Sequence, residues 1–310
     1  LMVASLGKLA NGKPCSTATV QRLIKMMADQ GFEVEFSPEG YSRQQDNFDF
    51  TTDLIRHAID AGATVINCPD TIGGASHFQG EAYFVNNMAK HKAIMEQEFP
   101  NKEIIWSMHC HNDFGTALEN SLNGVFRGIA RQIEGCINGV GERAGNVALE
   151  QCIMMIRQFG QATHLAQAYH TNIDIQYLKQ ASDFIAERML PRQPHSPIVG
   201  KNSASHTSGG HINAILKNPL AYQPFDPRDV GSEISFVFGP LSGSNHAQQI
   251  LAKFGYQCTD SEKVAVTQAI KDCYADRRKG ITDDELLLAY KKYRAAIKLE
   301  DLSYAKDNSG

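Results

Sequence analysis

The sequence has no strong charge excess, no paired-cysteine motif and no long apolar run, and each absence excludes a class of protein. With 30 Lys and Arg against 34 Asp and Glu, the formal net charge of −4 gives no basic field that would favour nucleic acid or an anionic membrane. The seven cysteines are scattered and never spaced C-x-x-C, which disfavours a disulfide framework and a structural zinc module. No stretch approaches the roughly 18 apolar residues of a membrane span. We therefore expect a cytoplasmic protein that acts on small molecules, with no nucleic-acid or membrane partner.

Short β-rich runs alternate with helical patterns over residues 1–160. Apolar residues at helical spacing occur in DFTTDLIRHAIDAG (49–62) and again in GTALENSLNGVFRGIA (115–130). Strands that alternate with helices predict parallel βαβ units, whose ligands bind at the carboxyl ends of the strands. The candidate strands are 32–38, 63–70, 103–111 and 131–139, with 1–6 as a further candidate.

The composition changes after Gly160 and predicts three parts. Residues 1–160 carry the α/β pattern. Residues 161–235 include a Pro-, Ser- and Gly-rich stretch and are interpreted as a linker subdomain. Residues 236–310 have amphipathic helical spacing with a TDDE capping signal, which predicts a helical subdomain.

Two histidines, His109 and His111, stand one residue apart at the end of a predicted strand. Because side chains in a strand alternate, both imidazoles point to one face and Cys110 points to the other. Such a pair can bind one divalent cation, with further ligands arriving from other strands. The alternative is that one histidine is a buried core residue and the other a helix cap.

A glycine-rich segment, GCINGVGERAGN (135–146), follows the next candidate strand. Its G-x-G-x-x-G/A spacing would suit a dinucleotide turn, but the expected acidic residue about 20 positions later is absent, since no Asp or Glu lies between Glu150 and Asp174. The glycines still suit close approach of the backbone to a ligand. Asn146 either caps the following helix or binds a metal or substrate.

Five motifs together resemble the family of 2-isopropylmalate and homocitrate synthases, which also includes citramalate synthases and, more distantly, HMG-CoA lyase. The resemblance extends from about residue 30 to about residue 290. It implies a (β/α)8 TIM barrel, of which this chain holds the C-terminal part without the N-terminal strands, followed by small helical linker subdomains. The motifs are VEFSPE (34–39), INCPDTIGG (66–74), HCHNDFGTALENSL (109–122), GCINGVGERAGN (135–146) and HTSGGHINAILKN (206–218).

The activity that this resemblance implies is a Claisen-type condensation of acetyl-CoA with 2-oxoisovalerate, which gives 2-isopropylmalate and CoA in the first step of leucine biosynthesis. A divalent metal, Mg2+, Mn2+, Zn2+ or Co2+, would act as the Lewis acid. The residues implied as its ligands are His109, His111 and Asn146.

The resemblance also implies substrate-binding and catalytic residues. Pro69 would lend apolar surface to a branched oxo acid, which favours 2-oxoisovalerate over 2-oxoglutarate. His211 and Tyr222 would reach the site from the partner subunit of a homodimer with swapped linker subdomains. The implied substrate-binding residues are Ser37, Pro69 and Thr71, and the implied catalytic residues are Glu39, His211 and Tyr222.

Two alternatives remain open at the level of sequence. The substrate could be pyruvate or 2-oxoglutarate, as in citramalate and homocitrate synthases. The chain could also be a catalytically silent fragment, because the Arg-Asp-Gly motif that the family carries on its first barrel strand is absent. With four or five candidate strands where a closed barrel needs about eight, we expect a piece of a longer protein that, alone, is unstable or oligomeric.

Overall fold

The computed structural model describes residues 17–165, 167–277 and 280–307, with side chains up to residue 297. These residues form two compact units, one ending at Arg192 and the other beginning at Gln193. The further strand considered at 1–6 lies outside the described residues. Within them, no helix combines the length and apolar character that crossing a lipid bilayer requires.

The first unit is a parallel sheet with helices between its strands. All neighbouring strands pair in parallel and in chain order, so each crossover leads to the adjacent strand, as successive strands of a barrel do. The predicted α/β class with alternating strands and helices is confirmed. The strands are β1 (Glu35–Phe36), β2 (Val65–Asp70), β3 (Ile105–Cys110) and β4 (Gln132–Glu134), and the helices are α1 (Thr17–Ala28), α2 (Phe48–Asp60), α3 (Phe84–Glu98), α4 (Ala117–Phe126), α5 (Leu149–Phe159) and α6 (Leu178–Arg188).

The candidate strand at 131–139 is longer than the strand that forms. Pairing stops at Glu134, and Ile137–Gly139 is a 3-10 turn in which Asn138 has a φ of 62°. A left-handed residue cannot continue a ladder, and Asn is one of the few non-glycine types that tolerates this conformation. The Asn138 side chain instead donates from Nδ2 to the carbonyl of Ser182 at 2.8 Å, which holds α6 against this turn.

One face of the sheet is apolar and carries the core. Phe36, Ile66, Trp106 and Met108 are almost fully buried, and they cluster with buried residues of α1 to α4. Burial of each such side chain contributes about 1.5–3 kcal/mol relative to exposure. Side chains at the alternate positions point to the opposite face, which is therefore available for polar chemistry.

The second unit is mainly helical and has its own core, which confirms the predicted helical C-terminal region. The TDDE signal caps α10, since the Thr282 N–H donates to Glu285 Oε2 at 2.8 Å. The core includes Phe238, Ile250 and Ile270. Its elements are β5 (Ser205–His206), α7 (Gly209–Lys217), β6 (Ser235–Phe236), α8 (Ser244–Lys253), α9 (Asp260–Cys273) and α10 (Asp283–Asp307). The division at residues 160 and 235 stays a prediction about subdomains.

Candidate active site

Parallel register brings the predicted site residues of the first unit to the carboxyl ends of β2 and β3. Pro69 is the register partner of His109. His111 follows directly after β3 and forms an antiparallel bridge with Asn146. Two further hydrogen bonds hold this segment to the end of β3, from Asn112 N–H to the Gly145 carbonyl at 2.9 Å and from Val147 N–H to the carbonyl of Cys110 at 3.0 Å. The glycine-rich segment therefore places Asn146 beside the histidine pair.

The two imidazoles meet edge to face. Their ring centroids are 5.2 Å apart and the ring planes are at 88°. Burial lowers the pKa of His109, although the negative charges of Glu39 and Glu35 act in the opposite direction and raise it. Burial also lowers the pKa of His111, and His109 and Arg143 lower it further. Both rings are thus held in the neutral form that binds metal ions.

Each predicted metal ligand has one buried polar atom without a hydrogen bond. These atoms are Nδ1 of His109, Nδ1 of His111 and Oδ1 of Asn146, none of which bonds to a residue that the structure describes. An unsatisfied buried polar group costs about 1–3 kcal/mol. A divalent cation fits the donor set of imidazoles and an amide. In the described ranges, no cluster of three His, Cys, Asp or Glu side chains is placed to hold a metal, and the predicted set has an amide as its third member.

Nδ1 of each histidine has no hydrogen-bond partner in the part of the chain that the structure describes, so neither ring is a fully satisfied core histidine. Helix α4 begins at Ala117 with Thr116 at its N-cap position, so neither His109 nor His111 caps it. The role of the pair as metal ligands stays a prediction.

The orientation of Asn146 is set by its amide nitrogen. Nδ2 donates to the Val140 carbonyl at 3.0 Å. The other amide atom, Oδ1, is buried and accepts no hydrogen bond from any residue that the structure describes. Gly141 is needed here because a Cβ atom would lie 2.5 Å from Asn146 Nδ2. The alternative that Asn146 caps the next helix is wrong, since α5 begins at Leu149 and Ala148 occupies its N-cap position.

The residues predicted to bind the oxo acid lie on the same edge. Ser37 Oγ accepts a hydrogen bond from Asn67 Nδ2 at 3.2 Å. Thr71 Oγ1 accepts one from the Gly40 N–H at 3.0 Å, which ties the loop after β1, with Glu39, to the end of β2. Because each hydroxyl already accepts a hydrogen bond, its own proton is available to a substrate oxygen.

Asp70 and Arg143 shape the loops around this edge. Asp70 is fully buried, where it accepts hydrogen bonds from Ser42 Oγ at 2.7 Å and Ala75 N–H at 2.9 Å. Arg143 donates to both carboxylate oxygens of Asp113 at 2.9 and 3.0 Å and to the Thr71 carbonyl at 2.8 Å. The Arg143 guanidinium lowers the pKa of Asp113. These bonds connect the loops that follow β2, β3 and β4.

His211 and Tyr222 belong to the second unit. The structure stacks their rings, with centroids 4.0 Å apart and planes at 19°, and Tyr222 is 53% exposed. Their contribution to the active site stays a prediction.

The sequence motifs did not predict a polar network on the face of the sheet opposite to the apolar core. Glu134 accepts hydrogen bonds from Asn67 Nδ2 at 2.9 Å and Ser107 Oγ at 3.2 Å. Gln132 Nε2 donates to both Glu134 at 3.1 Å and Glu35 at 3.0 Å. Burial raises the pKa of Glu35 to about 7, and the neighbouring Glu134 raises it too. The signal that could have revealed this network is a polar residue at every second strand position.

Comparison with known proteins assigns the family. Residues 7–185, more than half of the chain, match the HMGL-like family model. The chain belongs to the HMGL-like family. Residues 198–279 match a second model, described as homocitrate synthase post-HMGL domain-like.

Individual relatives of this HMGL-like chain cover most of its length. The 2-isopropylmalate synthase of Saccharolobus solfataricus is 38% identical over 86% of this chain and 65% of that protein. The 2-isopropylmalate synthase of Pelotomaculum thermopropionicum is 37% identical over 82% of this chain and 48% of that protein. The chain thus spans about half to two thirds of the length of these relatives. A solved HMG-CoA lyase from Bacillus subtilis aligns with 60% of this chain and 59% of its own, at 19% identity and a TM-score of 0.44.

The two family models divide the predicted site residues between them. The HMGL-like match contains the histidine pair and Asn146, together with the Glu134 network. His211 and Tyr222 fall within the second match.

Proposed function

We propose that this chain carries the catalytic site of a metal-dependent synthase that condenses acetyl-CoA with 2-oxoisovalerate to give 2-isopropylmalate and CoA. The observation that carries the proposal is the position of the two neighbouring imidazoles of His109 and His111 beside Asn146 at the carboxyl end of a parallel sheet. The Asn146 amide oxygen has no hydrogen-bond partner among the residues that the structure describes. The relatives from Saccharolobus solfataricus and Pelotomaculum thermopropionicum, both 2-isopropylmalate synthases, support the same reaction.

The metal would be held by these three residues, as Mg2+, Mn2+, Zn2+ or Co2+. When bound, such a cation supplies a Lewis acid for a keto group. The residues of the chain bind and orient the oxo acid around it. Thr71 and Ser37 have hydroxyl protons available for the substrate oxygens, and Pro69, the register partner of His109, offers apolar surface to a branched side chain.

The proton transfers are assigned to Glu39, His211 and Tyr222. A base removes one proton from the acetyl methyl group, and the resulting carbanion bonds to the keto carbon of the oxo acid. The π bond of the keto group opens in this step, and its oxygen takes up a proton to become the hydroxyl of the product. Water then cleaves the thioester and CoA leaves as the thiol. Glu39 lies close enough to His109 for its charge to raise the pKa of that ring. His211 can assist the base, and the Tyr222 hydroxyl can hydrogen-bond the thioester.

A place in leucine biosynthesis, a cytoplasmic location and a homodimer with swapped linker subdomains belong to the same proposal. They rest on the family resemblance of the motifs. The exposed, stacked pair of His211 and Tyr222 is consistent with residues that serve a partner subunit.

Release of CoA thiol from acetyl-CoA tests the function. The assay uses 2-oxoisovalerate, pyruvate and 2-oxoglutarate in turn, each with and without Mn2+. We expect metal-dependent release that is fastest with 2-oxoisovalerate. Faster release with pyruvate or 2-oxoglutarate would identify a citramalate or homocitrate synthase instead. No release with any oxo acid would favour a catalytically silent fragment.

A further inference from the structure

Glu134 lies beside His109 on the polar face of the sheet. The two residues are register partners on β3 and β4. His109 Nδ1 is 3.8 Å from Glu134 Oε2, which is beyond hydrogen-bond distance. This ring nitrogen has no hydrogen-bond partner among the residues that the structure describes. A small rotation of either side chain would make a hydrogen bond between them.

The Glu134 carboxylate is held in place from two neighbouring strands. Asn67 on β2 and Ser107 on β3, both buried, donate to its two oxygens, and Gln132 on β4 adds a third donor. Two of these donors reach Oε1 and one reaches Oε2. Oε2, the oxygen nearer to His109, therefore keeps capacity for another donor, because a carboxylate can accept about four hydrogen bonds. The carboxylate is therefore a fixed acceptor facing His109.

A histidine that binds a metal through one ring nitrogen commonly donates its other N–H to a carboxylate, which fixes its tautomer and the direction of its ring. We propose that Glu134 is a positioning residue, which accepts the Nδ1–H of His109 and so directs Nε2 of that ring to a divalent cation. This inference rests on the metal site of the proposed function.

Direct metal binding tests the proposal, with Mn2+ titrations followed by electron paramagnetic resonance. Glu134→Ala should weaken the Kd for Mn2+ about 10–100-fold. Glu134→Gln should lose less, because its amide oxygen can still accept the ring N–H. The absorption bands of bound Co2+ should shift in Glu134→Ala, since the His109 ring would no longer be oriented. A purely structural role would not move this spectrum in a folded variant.

The matched control is Glu119→Ala. Glu119 is also a carboxylate paired with a histidine, His77, but this pair is exposed and lies on helix α4 and the loop before α3. Its removal should leave the Kd for Mn2+ within about threefold. Circular dichroism checks that each variant is folded. If Glu134→Ala is unfolded, the Kd of Glu134→Gln for Mn2+ is compared with that of the wild type instead.

Three outcomes would overturn the proposal. Equal Mn2+ affinity and an unchanged Co2+ spectrum in Glu134→Ala would remove the role of Glu134 while leaving the metal site intact. An equal loss in Glu134→Gln and Glu134→Ala would show that charge, and not hydrogen-bond acceptance, matters. Absence of Mn2+ binding in the wild type would remove both the site and this inference. If the wild type binds Mn2+ but condenses no oxo acid, only the proposed function fails.

Discussion

At the scale of the single residue, the proposed metal ligands His109 and His111 are neutral imidazoles. Burial lowers the pKa of each ring, so neither must lose a proton near neutral pH before it binds a cation. Asn146 needs no preparation of this kind, because its amide is neutral and is already oriented by the Val140 carbonyl. In the proposed site, the three ligands would therefore need little rearrangement when a cation binds.

Removal of either imidazole should weaken metal binding strongly. His109→Ala or His111→Ala is expected to weaken Mn2+ binding by more than the roughly 10–100-fold typical of losing an outer hydrogen-bond partner, and to eliminate metal-dependent CoA release. Isothermal titration with Mn2+ measures the first effect. His57→Ala is the control, since the His57 ring bonds to the Asp53 carbonyl within α2 at 2.7 Å. Wild-type Mn2+ affinity in either variant would contradict the assigned ligands.

His91 is a buried histidine outside the site that makes stability depend on pH. Its Nδ1 lies 2.7 Å from the Tyr41 hydroxyl, and its ring stacks on Phe48 with centroids 4.2 Å apart. Burial lowers its pKa to about 4, although the hydrogen bond to the Phe48 carbonyl acts in the opposite direction and raises the pKa. An unfolded histidine has a pKa of about 6.5. As pH falls, the unfolded state therefore binds the proton first, and stability is lost between about pH 6.5 and pH 4.

Urea denaturation over this pH range should show the loss. The titration of His91 alone should lower the free energy of unfolding by about 3 kcal/mol as the pH falls from 7 to 4. His91→Phe removes the titrating group and should flatten this part of the profile, even though it also removes the bond to Tyr41. An equally steep decline in the variant would assign the pH dependence to other groups, such as His246, whose pKa burial also lowers to about 4.

At the scale of elements, the segment between β4 and α5 depends on close backbone contacts. Gly145 has a φ of 91°, and a Cβ atom there would lie 2.1 Å from the Gly139 carbonyl oxygen. That oxygen also accepts the Asn146 N–H at 3.0 Å. The conformation that positions the Asn146 amide is thus available only while residue 145 is glycine.

Gly145→Ala should destabilise the first unit and displace Asn146. The positive φ and the clash together should cost roughly 1–3 kcal/mol or more, measured by urea denaturation, with weaker Mn2+ binding in the folded fraction. Gly74→Ala is the control, because its Cβ would come no closer than 3.4 Å to the Ile72 side chain. A Gly145→Ala protein as stable as the control would contradict the strain inferred for this loop.

At the scale of the whole molecule, β1 and β4 are the edges of the described sheet. Edge strands present unpaired backbone groups that invite another strand. These edges agree with the expectation that the chain associates or is unstable by itself, which stays a prediction. The proposed swapped homodimer gives a more specific prediction. It assigns His109 and His211 of one active site to different subunits.

Mixing inactive variants tests this arrangement. His109→Ala and His211→Ala proteins, each inactive alone, should regain activity when they are unfolded together and refolded as mixed dimers. In a mixed dimer one site carries both substitutions and the other carries neither, so up to about half of its sites recover. CoA release before and after mixing measures the gain. No recovery, with mixed dimers shown by mass spectrometry, would place both residues of a site on the same subunit.

The sequence by itself determined those features that depend on neighbouring residues. The alternation of strands and helices, the placement of His109 and His111 at a strand end and the TDDE cap of α10 follow from local periodicity and capping chemistry. Only the tertiary structure decided the Glu134 network, because Asn67 and Ser107 lie 67 and 27 residues away in sequence and meet it through strand register. It also decided against the capping role of Asn146, since the bridge to His111 depends on how the loop packs against β3.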